Sequence, residues 1–150
     1  MPREALISEK NFCVVKQWMI VVQTPVQSLE HLVSAIEKNI ELVQGNYSHC
    51  MYIRSGGKTR FKSEDGAYGG QEANVRIVDS SEIILTIAYD LQLLACALSV
   101  IKYHHVHEEP TISITETWGC LSGKDDTRDN PNRYWNRQDA EAIHGEVARN

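Results

Sequence analysis

Positive charge is in short supply in this chain: 15 lysines and arginines stand against 20 aspartates and glutamates in 150 residues, a net charge of −5. That balance offers phosphate backbones and anionic membranes no general attraction, so nucleic-acid and membrane-surface binding are not expected. Long apolar runs are also missing. MIVV at 19–22 and IILTIAY at 83–89 fall far short of the roughly 20 residues a membrane helix needs. Residues 1–16 hold Arg3, Glu4, Glu9 and Lys10 and no apolar segment of signal type, which leads to the expectation of a cytoplasmic protein. The four cysteines, Cys13, Cys50, Cys96 and Cys120, include no CxxC pair, so the sequence shows neither a zinc-ribbon nor a dithiol redox motif and the thiols are expected buried and reduced. There is no Walker A sequence, no GxGxxG behind a strand, and no base or acid spaced to form a nucleophilic triad.

What is present is an ordinary globular composition, 42% hydrophobic and 23% charged, long enough for one domain with a real core. Gln17–Gln23 is a short continuous apolar run of buried-strand type. Thr24, Pro25 and Gln27 then carry the spacing of an N-cap, a first helical position and a capping box. The helix they predict runs to about residue 42, with Leu29, Leu32, Val33, Ile36 and Ile40 on one stripe and a stop at Gly45-Asn46. Strands are predicted at Ser48–Arg54, Asn74–Val78 and Glu82–Tyr89, the last two parted by Asp79-Ser80-Ser81 and forming an extra hairpin element. Asp90 is placed to cap a second helix whose stripe is Leu91, Leu94, Ala95, Leu98 and Ile101. Thr111–Thr117 alternates as a half-exposed strand, with Pro110 at its start. The order β-α-β-β-α-β, with two helices on one face of a mainly antiparallel sheet, predicts an α+β, ferredoxin-like domain over residues 1–118, its core at 17–118. Residues 119–150 read as a polar C-terminal extension. Its large apolar side chains are Tyr134 and Trp135, expected to dock onto the domain or a partner subunit, the alternative being a partly disordered tail, with a short helix around 137–147.

Two segments resemble a known family. GNYSHCMYIRSGGKTRFKSEDGAYGG, residues 45–70, is similar to G-N-Y-x-H-C-x-F followed by G-x-x-R-F-x-P-x-x-G-x-x-P-x-x-G, and HVHEEP at 105–110 is similar to H-P-Y-E-E-P. Both patterns belong to the CutA/PII-like domain found in the NGG-interacting-factor-like, dinuclear-metal proteins and in stand-alone relatives. The resemblance covers about residues 17–118 and implies a ferredoxin-like fold and a homotrimer. The dinuclear centre of those proteins lies in a different domain, so no catalytic residue carries over. The chain departs from the patterns at Ser63 and Tyr68, where the family has prolines, and at Val106 and His107, where it has Pro-Tyr.

The candidate sites follow from chemistry. His105 and His107, two apart on an extended segment, with Glu108 and Glu109 beside them, form the kind of donor set that takes zinc or copper. The same run also reads as a histidine-rich turn at a subunit junction. In the Gly-rich stretch 55–71, Gly56 and Gly57 free backbone N–H groups while Lys58, Arg60 and Lys62 supply positive charge, a pattern suited to a small anion. With Tyr47, His49, Cys50, Phe61 and Glu64, Lys58 and Arg60 complete the ligand-binding candidates. His49-Cys50 is expected on a strand, where neighbours point to opposite faces and cannot share one metal. The reading is a non-enzymatic, homo-oligomeric binding or regulatory module with a metal ion or small anion at its subunit junctions. The alternative is an enzyme using His49, Cys50 or the 105–109 cluster.

Overall fold

Fourteen residues from Phe12 to Pro25, rich in Val, Ile, Met and Trp, form one long strand, β2, that organises the rest. The computed structural model describes residues 4–123 and 128–145. A short strand β1 (Ala5–Ser8) precedes β2, and a 3-10 turn at Val26–Ser28 leads into helix α1 (Leu29–Asn39). Then come β3 (Tyr52–Phe61), β4 (Arg76–Ala88), helix α2 (Leu91–His104) and β5 (Ile112–Ser122). A 3-10 turn at Tyr134–Asn136 and the short helix α3 (Ala140–His144) close the described chain.

The sheet is antiparallel throughout. β5 lies along one side of β2 from Phe12↔Ser122 to Val22↔Ile112. Along the other side lie β1, opposite Cys13–Val15, and β4, from Gln17↔Ala88 to Pro25↔Ser80. β3 pairs outside β4, with the register shifting between Arg54 and Gly57. Because side chains alternate, Ile20 and Val22 of β2 face the same way as Ile83, Leu85 and Ile87 of β4, and all five are buried. Onto them α1 packs Leu32, Ala35 and Ile36, and α2 packs Ala97 and Ile101. Both helices lie on this face. The opposite face, carrying Met19 and Val21 with Ile84 and Tyr52 in register beside them, has neither α1 nor α2 over it among the described residues.

The α+β class, the two helices and the stripe of α1 agree with the sequence. Several details differ. The two strands expected at 74–78 and 82–89 are one continuous β4, because Asp79-Ser80-Ser81 stays paired to β2 and β3 instead of turning. Thr24 belongs to β2 rather than capping a helix, and α1 begins at Leu29 without a side-chain cap. In α2 the buried stripe runs through Ala97 and Ile101 with Leu94 and Leu98 packed beside them, leaving Leu91 and Ala95 exposed. Asp90 does cap α2, its carboxylate accepting from the N–H groups of Gln92 and Leu93 at 2.8 and 3.0 Å. β5 runs on past residue 118 to Ser122, since Phe12–Lys16 supplies it with a partner. In the polar extension, Tyr134 packs edge-on to Trp135 and against His144, and a hydrogen bond between the Tyr134 and Tyr47 hydroxyls raises the Tyr134 pKa. The helix expected around 137–147 is α3, and residues 146 and 147 lie outside the described residues.

Candidate functional site

Gln23, near the end of β2, joins two groups of polar side chains. Its backbone carbonyl accepts from His105 Nε2 at 2.6 Å, and its side-chain oxygen accepts from the Thr59 hydroxyl at 3.5 Å. His105 follows the last residue of α2 and is 9% exposed. Its Nδ1 accepts from the backbone N–H of His107 at 2.9 Å. A carbonyl on one nitrogen and an amide N–H on the other define the neutral imidazole with the proton on Nε2. Burial pushes the His105 pKa down; the Gln23 carbonyl opposes this, and the charges of His107 and Lys102 add to it. Both ring nitrogens are thus engaged by this chain, and a metal on His105 would have to displace one of those bonds. His107 stacks on His105 with ring centroids 5.4 Å apart and meets Phe61 edge-on at 5.9 Å. Glu108 binds its own surroundings: its carboxylate accepts from the Tyr68 N–H and its carbonyl from Lys102 Nζ, each at 3.2 Å. Glu109 is exposed. Among the described residues, no three His, Cys, Asp or Glu side chains converge to hold a metal ion.

The second group surrounds the irregularity in β3. Gly56, at φ 91°, occupies a left-handed conformation that glycine tolerates, and it lets the strand bulge away from Ser81. A Cβ on Gly57 would touch the Ser80 carbonyl at 3.4 Å, so this approach is also tight. The bulge opens a polar hollow of about 110 Å³ lined by Gln23, Arg54, Ser55, Gly57, Lys58, Thr59, Ser80, Ser81 and Glu82. The Thr59 hydroxyl donates to Ser80 Oγ at 2.8 Å, and Ser80 donates to the Val78 carbonyl at 3.1 Å. Lys58 pairs with Asp79 and Arg54 with Glu82, so the rim is nearly neutral. Volume and lining suit a small polar guest or a few waters.

The candidates from the sequence therefore separate. Lys58, Phe61, His105 and His107 gather around Gln23. The stretch read as a Gly-rich loop is largely strand: Gly56 to Phe61 lies in β3, and the loop spans 62–75. Arg60 sits opposite Ile77 near the end of β3. Glu64 lies in the loop, 3.4 Å from Lys62 Nζ. Tyr47, His49 and Cys50 lie before β3 rather than on it, in a turn where Gln44 and Tyr47 bridge and His49 adopts φ 59°. The Ser48 hydroxyl is 2.9 Å from His49 Nδ1, and the Cys50 thiol donates to the Ser48 carbonyl at 3.6 Å. Sequence reasoning missed Gln23, Arg54, Thr59, Ser80, Ser81 and Glu82. The available signal is the pair of apolar stretches, Ile77-Val78 and 83–88, on either side of 79–82, which one long strand also accommodates.

No family model matches the sequence, and no curated protein matches it. Solved structures do share its fold. A Bacillus cereus protein related to NIF3 superposes with a TM-score of 0.57 at 21% identity, over 82% of this chain and 31% of that one. The chain thus spans under a third of that protein's length. CutA1 from Oryza sativa superposes with a TM-score of 0.50 at 16% identity, over 71% of this chain and 84% of that one. The chain has the ferredoxin-like fold of CutA type, as the resemblance implied.

Proposed function

We propose that this chain is a non-enzymatic binding or regulatory module that works as a homotrimer in the cytoplasm, holding a small anion or a metal ion where its copies meet. The observation that carries the reading is the uncovered face of the sheet. Met19 and Val21 on the central strand, with Ile84 and Tyr52 beside them, form an apolar band without a helix, and Tyr52 is 62% exposed. A half-sheet of this composition gains from burial against another copy. Strand edges add to the argument. β4 lacks a β3 partner beyond Ile84, and the outer edge of β5 is unpaired along its length, among the described residues.

The hollow at the β3 bulge and the His105–His107 turn adjoin through Gln23, so one subunit junction there would enclose both. Of the two ligand classes, geometry favours the anion. The hollow offers hydroxyls, and Arg54 and Lys58 at its rim could turn to an anion from their exposed pairs with Glu82 and Asp79, whereas His105 is held in the interior by Gln23 and His107. The enzyme reading has less support, because the side chains of His49 and Cys50 each engage Ser48.

Replacing Val21 with Glu places a charge at the centre of the open face. Sedimentation should then show single chains where the parent assembles; a variant that assembles like the parent refutes the role of this face. For the ligand, calorimetry of the parent and of Lys58→Ala with phosphate, sulfate, zinc and copper should give anion binding that the substitution weakens several-fold. Zinc or copper heat lost on His107→Ala would instead select the metal.

A further inference from the structure

A second cluster lies on the helix side of the sheet, apart from Gln23. Beyond the start of α2 the long strands β2 and β5 stay paired to Phe12 and Ser122. Their register sets Lys16 opposite Trp118 and Trp18 opposite Glu116, and alternation places all four on one face. Tyr89, the residue after β4, completes the group: its ring lies 4.7 Å from that of Trp18, tilted by 31°. The Lys16 ammonium sits 4.4 Å from the Tyr89 centroid and 5.9 Å from that of Trp118. Glu116 closes the fourth side, accepting from the Tyr89 hydroxyl at 2.6 Å and lying 3.4 Å from Lys16 Nζ. Trp118 and Tyr89 are 49% and 43% exposed, so the cluster opens to solvent.

Two π-faces, those of Tyr89 and Trp118, and one carboxylate around an ammonium group make an aromatic site for a cation, with Trp18 packed on the Tyr89 ring behind it. Trp118 and Glu116 stand on the paired strand β5, and Tyr89 directly follows β4. The occupant is Lys16, tethered by a four-carbon stem and paired with Glu116. The Trp18 indole N–H is buried with no hydrogen-bond partner among the described residues, so Trp18 contributes packing against Tyr89 and no polar contact. We propose that Tyr89, Trp118 and Glu116, with Trp18 backing the Tyr89 ring, form a receptor for an organic cation of the methylated-ammonium type, with Lys16 as a built-in competitor that fills the site when the ligand is absent. A quaternary ammonium suits it because it keeps its charge, sheds water readily and meets several rings at once. The same chemistry is offered by a free small molecule and by a methylated lysine of a peptide.

The test is NMR titration of the full chain, following backbone amides of Lys16, Trp18, Tyr89, Glu116 and Trp118 with tetramethylammonium chloride. Sodium chloride serves as the ionic-strength control, and tert-butanol as a neutral ligand of similar shape. Lys16→Met should give saturable shifts confined to these residues, at an affinity about fivefold or more above the parent. Glu116→Gln in that background should weaken it. Choline compared with a peptide carrying trimethyllysine separates the two sources: tighter peptide binding assigns the ligand to a protein, equal binding to a free cation. Binding of tert-butanol as tight as that of tetramethylammonium, or no saturable shift in Lys16→Met, overturns the proposal.

Discussion

His105 is the residue on which most of the polar junction depends. Its imidazole bonds the end of β2 through the Gln23 carbonyl and fixes the following turn through the His107 amide. Replacing it with Ala leaves both partners without their bond, and unsatisfied buried groups cost about 1–3 kcal/mol each. The expected loss is therefore about 2–4 kcal/mol, read as a lowered midpoint in urea unfolding. The same residue sets a pH dependence. Burial lowers its folded pKa below the roughly 6.5 of an unfolded histidine, so the unfolded chain binds more protons as pH falls. Its stabilising contribution is complete above about pH 6.5 and declines below it. Unfolding free energy measured from pH 7.5 to 5 should fall in the parent, with a shallower fall in His105→Gln. Asp90 gives a smaller test: its carboxylate satisfies two N–H groups of α2, and Asp90→Ala should cost about 1 kcal/mol.

Among the elements, those built on one clear period were legible. The stripe Leu29, Leu32, Val33, Ile36 and Ile40 identified α1, and Asp90 identified the start of α2. What failed was any inference from polar or glycine content inside a strand. Ser80, Ser81, Gly56 and Gly57 have poor strand propensity, yet pairing on both sides of β4 and the bulge in β3 keep them in the sheet. The hollow was illegible for the same reason, since it is made by a register shift between chain segments far apart in sequence. Gly56 tests this account. Gly56→Ala puts a side chain at φ 91° and should cost about 1–2 kcal/mol. It should also perturb the amides lining the hollow, Thr59 and Ser81 among them, in heteronuclear spectra. No shift there, with unchanged stability, would mean that the bulge does not depend on glycine.

At the scale of the whole molecule, the arrangement is lopsided. Ile20, Val22, Leu32, Ile36, Ile83 and Ile101 concentrate the core between the sheet and its two helices, while Met19, Val21, Tyr52 and Ile84 lie on the bare side. One copy leaves that band partly in water; the proposed trimer would bury it and bring strand edges together. The resemblance of 45–70 and 105–110 to CutA/PII-like sequences pointed to the fold, and the shared fold of CutA1 and the protein related to NIF3 agrees. The proposed assembly rests on the bare face, which no single-strand pattern reveals, because Val21 and Met19 read as core whichever side they occupy. The decisive measurement is the mass of the parent protein in solution by light scattering. The account predicts about three times the 17.0 kDa of one chain, independent of dilution through the micromolar range; a single 17.0 kDa species at all concentrations would contradict it.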